Sequence, residues 1–200
     1  MSRTPKQSHF VAIILAIIAG GIIPASFGLF TKIYETKAKQ PVAVHNLRSA
    51  ASIYSELYDL KKEVLADHIS LLRAHDSGGP IPNKSSIVAE VLGDDINQIF
   101  NDWQSQPLDM DYLKLLEQIV DSKKITLITE ELQESILKDV HASRGIVQAD
   151  MRYLGANQDS IYYLIISFKD HRLIDSTYLD NVRSSCGKVI TILQEAKAVK

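Results

Sequence analysis

Cysteine is almost absent: Cys186 is the only one in the 200 residues. A lone thiol excludes an intramolecular disulfide framework and any CxxC metal or redox pair. Glycine and proline are scarce too, at nine and six, and several of them fall in the first 41 residues or in the stretch 78–82. The remainder is a poor candidate for a turn-rich all-β domain. Positive charge is not in excess either. Lys and Arg number 22 against 24 Asp and Glu, for a net charge of −2, so no basic field points to nucleic acid.

The motifs of common catalysis are missing as well. No GxSxG elbow, Walker-type phosphate loop, GxGxxG turn or EF-hand loop occurs. Six histidines are scattered at His9, His45, His68, His75, His141 and His171, and no two flank a glutamate at the i, i+4 spacing of a zinc-protease helix. Asp67-His68 and His75-Asp76 are adjacent pairs whose side chains would leave a helix about 100° apart, so neither is a ready chelate. Glu130-Glu131 suits the first turn of a helix, and Glu134 with Lys138 suits a surface pair. No residue is therefore assigned as catalytic, cofactor-binding or metal-ligating, and no cofactor is expected.

One long apolar run is present. Residues 10–30 (FVAIILAIIAGGIIPASFGLF) carry no charge, and as a helix they would match the roughly 30 Å hydrocarbon thickness of a bilayer. The expected organisation is a polar tail over 1–9, a transmembrane anchor over 10–30, a juxtamembrane stalk over 31–43 and a helical domain over 44–200. Ala12, Ala16 and Gly20 recur at four-residue spacing, which would let two spanning helices pack closely. The stalk lysines Lys32, Lys37 and Lys39 favour a cytoplasmic domain under the positive-inside rule. A short basic leader before the apolar run favours an exported one, which is the orientation expected. The rival reading of the same run is a cleaved secretory signal, although the run exceeds the usual signal core.

Beyond residue 44 the apolar residues recur mostly at helical spacing. A long helix is expected from Val44 to Asp76, a second from Ser85 or Ser86 to Trp103, and a third over 109–122. A fourth runs from Thr129 to Leu154, and a last begins at Ser176 or Thr177. Ile161–Phe168 (IYYLIISF) is apolar all round and reads as a buried helix, since no partner strand stands out. Tyr162, Tyr163, Ile165, Ile166 and Phe168 supply more apolar surface than one helix face needs. This helix is either central in the bundle or, through Tyr162 or Tyr163, a contact surface for a partner. The fold class read from the sequence is all-α: one transmembrane helix, then a five- to six-helix bundle. The function read is a single-pass, membrane-anchored interaction, scaffold or sensory module, with the bilayer and a protein partner or second copy as its contacts and no nucleic acid. The alternatives are an anchored enzyme with a cross-helix His/carboxylate site and a secreted helical protein.

Overall fold

Residues 160–168 form a β-strand, and the fold is built around it. Along this strand Tyr162, Leu164, Ile166 and Phe168 point into one buried cluster, while Tyr163 and Ile165 point into another. Period-two alternation sends successive side chains to opposite faces, so a strand covered on both faces reads as continuously apolar. The computed structural model describes residues 47–75, 82–93, 96 and 103–199, all within the unit Val42–Lys200.

In chain order the elements are α1 (Leu47–Glu63), β1 (His68–His75), β2 (Lys84–Val91), β3 (Gln106–Pro107), α2 (Met110–Ser122), β4 (Lys124–Ile128), a 3₁₀ turn (Thr129–Glu131), α3 (Ile136–Ser143), β5 (Gln148–Ala156), β6 (Ser160–Phe168) and α4 (Ser176–Glu195). The sheet runs β3-β2-β1-β6-β5-β4, antiparallel at every pairing. β6 is flanked by β1 and β5. One face of the sheet packs on α1 and α4, through Ile53, Leu57, Leu60, Val182, Val189 and Leu193. The other packs on α2 and α3, through Tyr112, Leu116, Ile119 and Leu137. The result is three layers, each helix pair burying an apolar stripe against the sheet.

The all-α expectation is thus corrected. Of the expected helices, only those over 109–122 and from Ser176 survive with their bounds nearly unchanged. Of the stretch expected as one long helix over Val44–Asp76, Leu47–Glu63 is α1 and His68–His75 is β1. The segment expected as helix from Ser85 contains β2, and the helix from Thr129 divides into a 3₁₀ turn, α3 and β5. The physical reason lies at the helix ends. Helix α1 stops at Leu65, in the left-handed region at φ 52°, where the Ala66 amide donates to Lys61 O at 3.0 Å and the Leu65 amide to Lys62 O at 3.4 Å. This is a Schellman closure, usually marked by glycine. Lys197 at φ 57° closes α4 the same way, with the Ala198 amide donating to Leu193 O at 2.7 Å and the Lys197 amide to Gln194 O at 2.9 Å. Lys123 at φ 66° ends α2 in the left-handed region. None of the three is glycine, so the sequence hides the stops.

After Lys197 the chain does not fray. Ala198 and Val199 are buried, and the Asn157 side chain donates to Ala198 O at 2.7 Å. Val199 packs over Gly155, at φ 152°, where a Cβ would come within 2.9 Å of the valine. Glycine is required there by both conformation and space.

Among the described residues no helix is long and apolar enough to cross a membrane. The expected anchor over 10–30, with Ala12, Ala16 and Gly20, lies outside the described residues, as do the tail and stalk.

Candidate functional site

The site forms where α2 and α3 cover the sheet, and one aspartate ties their starts together. Asp109 Oδ1 accepts the Tyr112 amide at 2.8 Å, capping α2, and its Oδ2 accepts the Ile136 amide at 2.7 Å at the start of α3. Ser135 completes the α3 cap by accepting the Lys138 amide at 3.2 Å. Exposed helix N-termini present unsatisfied N–H groups, and here a single carboxylate answers two of them.

Beneath these helices lies a buried polar cluster. Arg144, just past α3, donates from Nη2 to Glu90 Oε1 of β2 at 2.9 Å. His68 Nε2 of β1 is 3.0 Å from the same carboxylate oxygen and 2.9 Å from Ser70 Oγ. Arg144 Nη1 stands 3.3 Å from both ring nitrogens of His68, so the guanidinium lies against the imidazole ring rather than aiming at one nitrogen. Burial holds the His68 pKa below the ordinary histidine value against the opposing pull of Glu90, with Arg144 adding to the depression. Burial works against the Glu90 carboxylate, yet its hydrogen bonds from His68 and Arg144 hold its pKa below the usual range. His141 of α3 is pushed down to about 3 by burial and by the neighbouring His68 and Arg144. At neutral pH the cluster therefore holds one charge pair, Glu90 with Arg144, and two neutral imidazoles.

The cluster borders a cavity of about 30 Å³ lined by His68, Trp103, His141, Arg144, Ser167 and apolar residues including Ile165. Such a volume has room for one or two water-sized groups. Trp103 Nε1, His141 Nδ1 and Ser167 Oγ are buried and find no hydrogen-bond partner among the described residues. Unpaired buried polar atoms are rare in folded proteins and call for an explanation; here three of them line one cavity. Tyr112, also in its lining, shares a hydroxyl pair with Tyr163 at 2.9 Å, and Tyr163 pairs in turn with Ser85 at 2.9 Å. Burial raises the Tyr163 pKa to about 12.

A second, wider groove of about 490 Å³ runs beside α4, lined by Lys123, Arg152, Tyr153, Arg183 and Cys186 among others. Three of its four cations are engaged: Arg152 with Asp150, Arg183 with Asp180, and Lys123 over the Tyr153 ring; the fourth is Lys124. Burial raises the Cys186 thiol pKa to about 12, which leaves no reactive thiolate at neutral pH. The smaller cavity is the better candidate, because only there do unpaired polar atoms converge.

Sequence reasoning left His68 and His141 scattered and assigned neither Glu90 nor Arg144, yet the fold gathers all four. The available signal was Glu90, an acidic residue within the apolar-rich stretch Ile87–Val91. Tyr162 and Tyr163 both lie fully buried on β6, Tyr162 toward α1 and α4 and Tyr163 toward the cavity side. Among the described residues no group of three or more His, Cys, Asp or Glu could hold a metal ion.

The six-stranded antiparallel sheet with helices on both faces is similar in fold to solved GAF domains. No protein-family model and no curated protein matches the sequence; the likeness is to solved structures. The GAF domain of a two-component sensor histidine kinase from Bacillus halodurans is similar at TM-score 0.58 and 13% identity, over 76% of this chain and 96% of that one. The phycoerythrobilin-bound GAF domain of a cyanobacterial phytochrome matches at TM-score 0.55 and 10% identity, over 76% and 88% of the two chains. A red/green cyanobacteriochrome in its green-light-absorbing state matches at TM-score 0.57 and 9% identity, over 75% and 96%. At such identities the likeness defines the fold alone, which is GAF-like.

The functional expectation is corrected with the fold. A membrane-anchored helical scaffold, single-pass and extracytoplasmic, is replaced by a sheet-centred GAF-like domain. The bilayer as a partner finds no support in these comparisons: among the described residues no helix is long and apolar enough to span, and the run 10–30 lies outside them. The cross-helix His/carboxylate enzyme is replaced by a cluster carried on two strands and the end of α3.

Proposed function

We propose that this chain is a GAF-like sensory domain that binds a small molecule between its sheet and α2/α3 and signals to a protein partner. The observation that carries this reading is the cavity with three unpaired polar atoms, Trp103 Nε1, His141 Nδ1 and Ser167 Oγ. A protein gains from leaving such groups unpaired chiefly where something else pairs them. The similar domains include parts of sensor histidine kinases, which supports a signalling role with a protein partner. α1 offers it a surface, since Tyr54 and Tyr58 are 52% and 44% exposed on that helix and aromatic residues are enriched in interface cores.

The bilin of the phytochrome neighbour does not transfer to this chain. The cavity is far smaller than such a ligand requires, and the single thiol, Cys186, packs against the opposite face of the sheet. A screen of small molecules by melting temperature of the full chain tests the reading. Hits are expected to lose their effect in Val140→Phe, which fills the cavity from its half-buried rim. Hits that stabilise wild type and Val140→Phe equally would place binding elsewhere and contradict the proposal.

A further inference from the structure

We infer that the cavity takes a compact carboxylate or similar oxyanion of three or four heavy atoms; this rests on the sensory reading above and narrows its ligand. The inference follows from the sense of the hydrogen-bonding groups. Trp103 and Arg144 in the lining can only donate. Ser167, with its unpaired Oγ, and His141, with its unpaired Nδ1, can each donate as well. Among the described residues no carboxylate lines the cavity. Glu90, the countercharge of Arg144, sits behind it, bonded to Arg144 Nη2 at 2.9 Å and to His68 Nε2 at 3.0 Å.

A cation entering this space meets the Arg144 guanidinium and the Trp103 indole N–H, with no acidic side chain in the lining to receive it. A ligand that mainly accepts hydrogen bonds meets donors from Trp103, Ser167 and α3 at once. Charge-assisted acceptors make the stronger bonds to such donors, which favours an oxyanion over a neutral carbonyl. The volume sets the size. About 30 Å³ admits the two oxygens of a carboxylate and little more, and the apolar wall of Leu72, Ile87 and Ile165 suits a hydrogen or methyl on the far side. A ligand this small is bounded near millimolar affinity.

Trp103 is the chain's only tryptophan, so its fluorescence reports directly on the cavity. The experiment titrates the full chain with sodium formate at constant ionic strength, against formamide as the neutral isostere and benzoate as the bulky carboxylate. A saturable change in Trp103 emission is expected with formate. Formamide should bind at least tenfold more weakly, and benzoate should give no change. Ser167→Ala removes a hydroxyl with no partner among the described residues, so the fold tolerates it. Its affinity for formate should fall about tenfold, as expected for one lost bond to a charged acceptor. Formamide binding as tightly as formate would overturn the oxyanion and leave the cavity as the ligand site. Formate binding that leaves Trp103 emission unchanged, or that is equal in Ser167→Ala, would place the anion elsewhere and overturn the inference. No binding by formate or formamide would overturn the inference, while the sensory reading stands or falls separately on the melting-temperature screen with Val140→Phe.

Discussion

Arg144 and Glu90 are both nearly inaccessible, with side-chain exposures of 5% and 1%, and at the residue scale they govern the stability of the cavity. Removing one member of a buried pair leaves the other uncompensated, at a cost of about 3–5 kcal/mol. Glu90→Gln should therefore lose about that much in a urea titration. Glu90→Gln combined with Arg144→Met should recover part of the loss, because the stranded charge is gone. A Glu90→Gln protein as stable as wild type would show that the pair contributes nothing to the fold.

Histidine titration gives a second test at the same scale. His141 is held near 3 in the folded chain, while an unfolded histidine titrates near its ordinary value of about 6.5. Between these values the unfolded chain takes up a proton that the folded chain refuses. Stability is therefore full above pH 6.5 and falls as pH drops toward 3, by about 1.4 kcal/mol per pH unit for this residue. His68, also lowered, acts in the same direction. Comparing urea midpoints at pH 7.5 and 5.5 should show a smaller acid loss in His141→Leu than in wild type. An equal loss in both would mean that His141 is protonated in the native state.

At the scale of elements, helix ends decided what could be read. α2 and α4 carry Asp109 and Asp175 as caps, each accepting an amide three residues on at 2.8 Å, and both helices were legible in the sequence. α1 was legible as a helix over Leu47–Glu63 and not at its stop, because Leu65 adopts the left-handed turn without glycine. The apolar stripe of α1 then ran on through Leu72 at helical spacing, absorbing β1 and removing the strand that would have identified β6 as its neighbour. Glu90 went unassigned for a related reason: with β2 read as helix, it had no facing strand from which His68 could reach it. Leu65 is 66% exposed, so its side chain loses little by removal, while a left-handed non-glycine residue costs about 1–2 kcal/mol. Leu65→Gly is expected to raise stability by up to about 1 kcal/mol, part of the gain being offset by the freedom glycine adds to the unfolded chain. A lower melting temperature in Leu65→Gly would show that leucine makes a contact worth more than its strain.

At the scale of the whole molecule, β6 couples the two faces. Its even-numbered residues pack under α1 and α4, and its odd-numbered residues reach Tyr112 and the cavity. The helix layers on the two faces are thus joined through one close-packed strand, and packed interiors transmit strain. The class of architecture was not legible from periodicity, because a strand covered by helices on both faces has no polar side to reveal it. The cavity was not legible because its polar groups come from β1, the Trp103 segment, the end of α3 and β6, and sequence spacing carries no record of that convergence.

The indole N–H resonance of Trp103 gives the most direct test of the central claim, that this GAF-like fold senses a small molecule in the cavity between its sheet and α2/α3. It is the only such resonance in the chain, and its donor is a buried atom with no partner among the described residues, on a side chain that lines the cavity. Titrating the full chain with any compound that raises its melting temperature should move this resonance, with the same midpoint as the thermal shift. A compound that stabilises the protein saturably while the Trp103 indole stays unmoved would contradict the account.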